Sequence, residues 1–111
     1  MSDNLFGIHA KALQVRALRM DVLASNIANA ATPHFKARDI DFTKALSLAE
    51  RGQSTDSAVA FRIPLQPSLD GNTVEMATEQ TAFAENALAY RSSLAFLNGR
   101  IGTLSRALKG E

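Results

Sequence analysis

The C-terminal third of the chain carries a regular spacing of apolar residues. From Met76 onward the spacing alternates between four and three residues over more than four heptads. The positions are Met76, Gln80, Phe83, Ala87, Tyr90, Leu94, Leu97, Ile101, Leu104 and Leu108. A repeat of this kind, sustained over this length, is typical of a coiled-coil seam. The sequence therefore predicts a long helix that packs against another helix, with Asn72 as its N-cap and Glu75 completing a capping box.

A second helical pattern covers the N-terminal segment from about Asn4 to Ala31, with Asp3 or Asn4 as candidate N-cap. Two apolar stripes with seven-residue spacing run along it. Their members are Ile8, Val15 and Val22 in one stripe, and Leu13, Met20 and Ile27 in the other. At about 100° per residue the stripes lie roughly 140° apart. One stripe can pack against the C-terminal helix, parallel or antiparallel, so the other is expected to require other copies or other proteins.

The middle of the chain has a different character. Pro33 disfavours the α conformation at Thr32, so the first helix is expected to end there. A short helix is predicted from Phe42 to Glu50, with Asp41 as its N-cap. Residues 51–58 are polar and predict a mobile linker, while residues 59–66 favour one short extended segment. We therefore expect an all-α fold with residues 1–31 as an N-terminal coiled-coil helix, residues 32–72 as a motif loop and flexible, partly disordered middle, and residues 73–111 as a C-terminal coiled-coil helix.

Composition excludes several classes of function. Twelve basic residues balance eleven acidic ones, so no charge excess indicates binding to nucleic acid or to an anionic membrane. Cysteine is absent, which excludes disulfides, thiolate metal sites and cysteine nucleophiles. No run approaches the roughly 18 apolar residues of a membrane span. The N-terminus shows no secretory signal pattern, so any export is expected to use another route.

A small enzyme is one interpretation of the segment around His34, Asp39 and Asp41. No acidic residue or histidine stands at metal-ligand spacing from His34 or His9, and no nucleophile elbow or phosphate loop is present. Asp41 is better placed as a helix cap. We expect no catalytic residue, no metal site and no cofactor. A small cytoplasmic helical adaptor or chaperone-like binding module is a further alternative, because it would share the amphipathic helices.

Asn26 and Asn29 stand three residues apart near the end of the first helical pattern. Asparagine is costly beside an apolar seam unless it is hydrogen-bonded. One interpretation is fraying of the helix before Pro33. The other, which we favour, is that both residues bond across helices and fix their register.

Residues 25–42, SNIANAATPHFKARDIDF, closely resemble the N-terminal motif of bacterial flagellar rod and hook-type axial proteins, Ser-Asn-x-x-Asn-x-x-Thr-Pro-Gly-[Tyr/Phe]-[Lys/Arg]. The KARDIDF continuation and the stretch from Asn72 to Glu111 resemble the proximal rod members of this family. The resemblance leaves only residues 51–65 unconstrained. Two positions depart from the family pattern: His34 replaces glycine, and Ala77 replaces an acidic residue. Histidine at position 34 favours a type I turn or a left-handed conformation.

The resemblance implies a non-enzymatic subunit of the basal-body rod, which crosses the periplasm and transmits torque. It implies export by the flagellar type III apparatus without a cleaved signal peptide. The implied partners are other copies of the chain and other rod and basal-body proteins, with no nucleic acid, no small-molecule substrate and no direct membrane insertion. The terminal helices of such proteins form an inner coiled-coil tube and become ordered largely on assembly, so the isolated monomer is expected to be marginally stable.

Two sets of functional residues are predicted. The coiled-coil seam consists of Val15, Val22, Phe83, Tyr90, Leu94, Leu97, Ile101, Leu104 and Leu108. The subunit interface consists of Arg16, Arg19, Asn26, Asn29, Thr32, Pro33, Phe35, Lys36, Arg38, Asp39, Asp41 and Phe42.

Overall fold

The protein consists of three helices and a two-stranded sheet. A computed structural model describes residues 2–110 and, among side chains, those from Gly7 onward. The elements in chain order are α1 (Ser2–Ala28), β1 (Arg38–Ile40), α2 (Phe42–Glu50), a single 3₁₀ turn (Asp56–Ala58), β2 (Val59–Phe61) and α3 (Met76–Leu108). The chain is mostly helical, as predicted, and the sheet is an addition to the predicted all-α fold. None of the helices within the described part of the chain is long and apolar enough to cross a membrane.

The two terminal helices, α1 and α3, pack side by side in opposite directions. Near one end the rings of His9 and Phe96 lie 4.2 Å apart, and near the other Asn26 donates a hydrogen bond to Glu79. These two contacts are separated by 17 residues on each helix. The hairpin is therefore antiparallel, which the sequence alone left open. Supercoiling of the pair into a coiled coil stays a prediction.

The opposite side of α1 is covered by the middle of the chain. Val15 and Val22 are buried in a cluster with residues of β1, α2 and the 3₁₀ turn. The other buried members of this cluster are Ile40, Ala45, Ala49 and Ala58. Val15 and Val22, which were predicted to belong to the seam between the two long helices, thus pack against residues 40–58. The expectation that the other stripe of α1 requires other subunits stays a prediction.

The middle segment has defined secondary structure. β1 and β2 pair antiparallel, with Asp39 opposite Ala60. The prediction for α2 is confirmed at both ends, and the Asp41 carboxylate caps it by accepting from the Lys44 N–H at 3.1 Å. Residues 51–58, which were predicted to be a mobile linker, end in the 3₁₀ turn Asp56–Ala58, and their mobility stays a prediction. Ala58 is buried and its carbonyl accepts from the Asp41 N–H at 3.0 Å, which fixes the end of this segment against β1.

Both long helices end differently from the prediction. α1 ends at Ala28, because the Asn72 side chain donates to the carbonyls of Asn29, Ala30 and Thr32 at 2.7–3.1 Å and so replaces a further helical turn. The proposed capping role of Asn72 on α3 is therefore wrong. Glu75 is the N-cap of α3 but makes no capping bond through its side chain. The candidate caps of α1, Asp3 and Asn4, have side chains outside the described part of the structure.

Candidate functional site: a polar joint beside uncovered residues of α3

A network of charged and amide side chains joins the middle segment to both long helices. We call this network the polar joint; its members are Arg19, Asn26, Asp39, Arg62 and Glu79. Asp39 of β1 accepts two hydrogen bonds from Arg19 of α1, Nε to Oδ1 at 2.8 Å and Nη2 to Oδ2 at 3.0 Å. It accepts a third from Arg62 Nη2 at 3.0 Å. Two guanidinium groups therefore share one carboxylate, with the paired geometry that makes arginine–carboxylate contacts strong.

The other half of the polar joint surrounds Glu79, which is fully buried. Arg62 forms an ion pair with Glu79, with Nε 3.0 Å from Oε1, and its Nη2 donates a hydrogen bond to Glu79 Oε2 at 3.4 Å. Asn26 Nδ2 donates to Glu79 Oε2 at 2.9 Å. A buried carboxylate is tolerated only when it is paired and hydrogen-bonded in this way. Arg62 thus bridges the carboxylates of β1 and α3.

The network shifts the pKa values of Asp39 and Arg19. Burial raises the pKa of the Asp39 carboxyl, but the hydrogen bonds from Arg19 and from the Ile40 N–H, together with the charges of both arginines, more than offset this and hold the pKa below its ordinary value. The hydrogen bond to Asp39 raises the pKa of Arg19. Both groups are therefore held in their charged forms.

Asn26 links three elements. Its Nδ2 donates to the Arg38 carbonyl at 2.6 Å as well as to Glu79, and its Oδ1 accepts from the Arg38 N–H at 3.1 Å. The Asn26 amide thus bonds both backbone groups of Arg38, at the edge of β1, as a neighbouring strand would. Asn26 bonds across to α3, as predicted. Asn29 does not, because its amide donates within its own helix to the Ser25 carbonyl at 2.8 Å.

The turn after Pro33 places His34 in the left-handed region, with φ of 64°. This is the second of the two conformations predicted for a histidine at that position. The His34 N–H donates to the Asp70 carbonyl at 2.9 Å. Gly71 also has a positive φ, 76°, and a Cβ there would lie 2.8 Å from His34 Nδ1. The histidine ring therefore occupies space that only a glycine at position 71 leaves free.

A second contact zone lies midway along the hairpin. Asn86 of α3 is buried and donates to the Arg16 carbonyl at 2.8 Å. The Arg16 guanidinium lies 4.2 Å over the Phe42 ring, a cation–π contact. Burial of the Arg16 guanidinium, and to a smaller extent the nearby charge of Arg19, lowers the pKa of Arg16. Together with Glu79, Asn86 gives the α1-facing side of α3 a polar residue at a seven-residue interval.

Much of the predicted seam of α3 is not covered by this chain. Leu97 is buried, and Phe83 and Tyr90 are half-buried. Five large apolar residues of the predicted heptad are exposed, and we call them the uncovered α3 residues. They are Met76, Leu94, Ile101, Leu104 and Leu108. Polar side chains hold part of the interface with α1, while apolar side chains of the same helix face solvent.

The predicted interface residues divide by exposure. Asn26 is buried within the chain. The half-buried members are Arg16, Arg19, Asn29, Phe35, Asp39 and Phe42. The exposed members are Thr32, Pro33, Lys36, Arg38 and Asp41. The structure thus brings the first two groups together inside one chain and leaves the last group on the surface.

Sequence reasoning missed four residues of this region: Arg62, Asn72, Glu79 and Asn86. For Glu79 and Asn86 a signal was present, because polar residues stand seven apart beside an apolar repeat. Nothing near Arg62 in the sequence indicates its partners. Among the side chains that the structure describes, from residue 7 to residue 110, no group of three histidine or acidic residues is arranged to hold a metal ion.

Residues 6–36 match the family described as "Flagella basal body rod protein". The chain is 52% identical over 120 aligned positions to the flagellar basal body rod protein FlgB of Cereibacter sphaeroides, covering 95% of this chain and 94% of that protein. It is 46% identical to FlgB of Aeromonas hydrophila, covering 98% and 96%. It is 43% identical to FlgB of Escherichia coli K12, covering 96% and 94%. The chain therefore belongs to the flagellar basal body rod protein family, whose members are structural subunits of the flagellum and not enzymes.

Proposed function

We propose that the chain builds the proximal part of the rod by polymerising through the uncovered α3 residues and the exposed face of its middle segment. The observation that carries this proposal is the exposure of the uncovered α3 residues in an otherwise folded hairpin. Exposed apolar patches mark interaction surfaces in soluble proteins. Four of these side chains are 38–52% exposed and Leu108 is 89% exposed, so covering the rest of their surface contributes part of the roughly 1.5–3 kcal/mol that full burial of a leucine supplies at each position.

The terminal helices are proposed to complete a coiled coil with those of neighbouring subunits. Within the single chain Leu97 is buried and Phe83 and Tyr90 are half-buried, while Val15 and Val22 pack against the middle segment. The proposed contact between subunits therefore uses the remaining surface of α3. A helix with apolar positions on more than one side packs against more than one neighbour. The division into residues 1–31, 32–72 and 73–111 then separates the shared helices from the segment that faces outward.

The polar joint supports a mechanical role. Its ion pairs tie β1 and the loop after β2 to both long helices, so the middle segment and the hairpin move as one body. Such a subunit transmits torque along a shaft without internal slippage. From the family resemblance we propose a place in the rod across the periplasm, export by the flagellar type III apparatus without a cleaved signal peptide, and assembly with other copies and other rod and basal-body proteins.

A pair of leucine substitutions on α3 tests this proposal. Leu94 is an uncovered α3 residue, and Leu88 is also exposed but lies roughly 120° away around the helix. Leu94→Asp is expected to destabilise the purified chain without unfolding it, because the side chain is 39% exposed, and to abolish rod assembly and motility in cells. Leu88→Asp is the matched control and should leave the cells motile. Motile cells that carry Leu94→Asp, or equal loss from both substitutions, would contradict the proposed surface.

Detection of the chain in purified basal bodies tests the assignment to the rod itself. The unsubstituted chain should co-purify with the rod. Its retention in the cytoplasm would favour the helical adaptor instead.

A further inference from the structure

Arg16 lies where the two long helices meet the middle segment. Its guanidinium lies 4.2 Å over the ring of Phe42 in α2, and its carbonyl accepts from Asn86 of α3 at 2.8 Å. Arg16 is half-buried, so these neighbours shield part of its side chain and the rest reaches the surface. The position therefore combines a guanidinium held by a ring with access from outside the chain.

The Arg16 guanidinium has no carboxylate partner within the described residues 7–110. The ion pairs found there all involve Arg19 or Arg62. Asn86 does not compensate the charge of Arg16, because its amide is neutral. The chain thus matches the charge of two neighbouring arginines with carboxylates and leaves that of Arg16 unmatched.

The nitrogen atoms of Arg16 show which part of the group a partner can reach. Nε is buried without a hydrogen-bond partner in the described structure, whereas the two Nη atoms, which also make no hydrogen bond there, reach solvent. Contact with the Phe42 ring uses the flat face of the guanidinium and leaves its edge free, because the N–H groups lie in its plane. This edge is the planar fork that binds a carboxylate through two parallel hydrogen bonds.

The surroundings make the unmatched charge of Arg16 unfavourable. Burial lowers the pKa of Arg16, and the charge of Arg19, three residues further along the same helix, lowers it as well. Both effects disfavour the charged form, yet an arginine keeps its charge in proteins. A carboxylate at the Nη atoms would offset both effects, because an opposite charge favours the charged form.

We propose that Arg16 binds a carboxylate side chain of a neighbouring rod subunit, so that assembly completes an ion pair that the described part of one chain leaves unmatched. The proposal rests on the proposed rod function and adds the chemistry of one contact between subunits. The carboxylate belongs to a second copy of this chain or to another rod protein, and the group that Arg16 recognises is the same in both cases.

The competing explanation lies inside the chain. Asn86 Oδ1 is also buried without a hydrogen-bond partner in the described structure, and the same amide already bonds the Arg16 carbonyl. If Arg16 Nε turned towards this oxygen, its role would be to hold α1 to α3. Its removal would then destabilise the single chain, whereas removal of a group that waits for a neighbour would not.

Substitution of Arg16 by glutamine separates the two explanations. We expect Arg16→Gln to abolish rod assembly and motility in cells. In the purified chain the urea midpoint should move by no more than about 0.5 M, because relief of the repulsion from Arg19 offsets loss of the contact with Phe42. Lys11→Gln is the matched control, since Lys11 is half-buried on the same helix but lies roughly 140° away. It should leave both motility and the urea midpoint unchanged.

Three outcomes of this comparison would overturn the proposal. One is normal rod assembly and motility in cells that carry Arg16→Gln. Another is a fall in the urea midpoint well beyond that limit, which would place the role of Arg16 inside the chain. The third is equal loss of motility from Lys11→Gln, which would mean that α1 requires its positive charges without regard to their position.

Zero-length coupling identifies the source of the carboxylate. Arg16→Lys keeps the positive charge and supplies an amine, which a carbodiimide joins to a contacting carboxylate as an amide while the reagent takes up the water as a urea. Purified basal bodies that contain this variant are treated, and products joined at residue 16 are identified by mass spectrometry. Coupling to a second copy gives a product of about twice 11.9 kDa, and coupling to another rod protein gives a different mass; either result supports the proposal.

Coupling of residue 16 to a carboxylate of its own copy would overturn the proposal, and so would rods that contain the variant but give no product at residue 16. If Arg16→Lys does not enter rods, the comparison of Arg16→Gln with Lys11→Gln decides. Absence of the unsubstituted chain from basal bodies is a separate result, which rejects the proposed function instead.

Discussion

Arg62 and Glu79 form an ion pair with a 3.0 Å separation between Nε and Oε1, in which a loop arginine reaches a fully buried carboxylate of α3. The same guanidinium holds Asp39 of β1 through Nη2. One side chain from the connection after β2 therefore fixes the sheet to the second half of the hairpin. This contact therefore also fixes the start of the loop that follows Arg62.

Replacement of Glu79 by glutamine should destabilise the chain strongly. Glu79→Gln keeps the size of the side chain but removes its charge, so Arg62 loses one of its two carboxylate partners in a buried site. Removal of one partner of such a pair costs about 3 kcal/mol in the free energy of unfolding. Urea denaturation of the purified chain measures this loss.

Glu85→Gln is the control for that substitution, because Glu85 is exposed on the same helix. It should change the free energy of unfolding by no more than about 0.5 kcal/mol. Equal free energies of unfolding for the two variants would contradict this prediction, because the buried Arg62–Glu79 pair would then contribute no more than the exposed Glu85 carboxylate does.

Local signals in the sequence predicted the local structure well. The N-cap Asp41 and the following apolar spacing predicted α2 from Phe42 to Glu50. The four-three repeat predicted a long C-terminal helix, although α3 begins at Met76 and not directly after Asn72. These features depend on residues within one or two turns of each other. The same signals identified Asn26 as a cross-helix contact.

The contacts of the polar joint could not be predicted in the same way. Arg62 and Asp39 are 23 residues apart, and Asn26 and Glu79 are 53 residues apart, so nothing local links them. A heptad pattern is defined by apolar positions only. It therefore did not identify Glu79 and Asn86 as the residues that hold α3 to α1, and it placed in the seam several leucines that this chain leaves exposed.

Acid should weaken the Asp39 contacts selectively. The pKa of Asp39 lies below its ordinary value of 3.8 in the folded chain, so the folded state binds this proton more weakly than the unfolded state does. The stability that Asp39 contributes is then fully present above the unfolded pKa and is lost as pH falls through the folded pKa. Comparison of the natural chain with Asp39→Asn across pH measures this contribution.

The expected result is a stability difference that is constant near neutral pH and shrinks below about pH 4. Asp39→Asn should be less stable at neutral pH, because Arg19 and Arg62 lose a shared carboxylate. A difference that does not change down to pH 2.5 would show that Asp39 carries no depressed pKa in the folded chain.

His34 and Gly71 should behave as a coupled pair. Gly71→Ala places a methyl group 2.8 Å from His34 Nδ1 and also puts a non-glycine residue at a φ of 76°. The left-handed conformation alone costs about 1–2 kcal/mol for such a residue. His34→Gly should leave the free energy of unfolding nearly unchanged. Glycine removes the backbone strain of a φ of 64°, but it also gives the unfolded chain more conformational freedom, and the two effects offset each other.

Combination of the two substitutions separates the causes. In a His34→Gly background the clash disappears, and Gly71→Ala should cost only the conformational part. We expect the double variant to be more stable than the sum of the single effects by more than about 0.5 kcal/mol. Additivity in thermal unfolding would mean that the two residues do not touch.

Asn72 should stabilise the end of α1 through its side-chain donor. Asn72→Ala leaves the carbonyls of Asn29, Ala30 and Thr32 without that donor, and the expected loss is about 1–3 kcal/mol in the free energy of unfolding. Asn98→Ala on the exposed face of α3 is the control, and alanine there should be neutral or slightly stabilising. Hydrogen exchange at the last turn of α1 should accelerate in Asn72→Ala alone. Unchanged exchange there would place the capping of α1 elsewhere.

Substitutions at Leu97 and Leu94 should distinguish the stability of the single chain from its contact with a neighbouring subunit. Both belong to the predicted seam, but Leu97 is buried within the hairpin and Leu94 is exposed. Leu97→Ala removes packed side-chain atoms and should cost about 2–4 kcal/mol in the purified chain, whereas Leu94→Ala should cost less than about 1 kcal/mol. In cells both substitutions should reduce motility, because one weakens the subunit and the other weakens its contact with a neighbour. A purified Leu94→Ala chain as unstable as Leu97→Ala would instead place both leucines in the fold of the single chain.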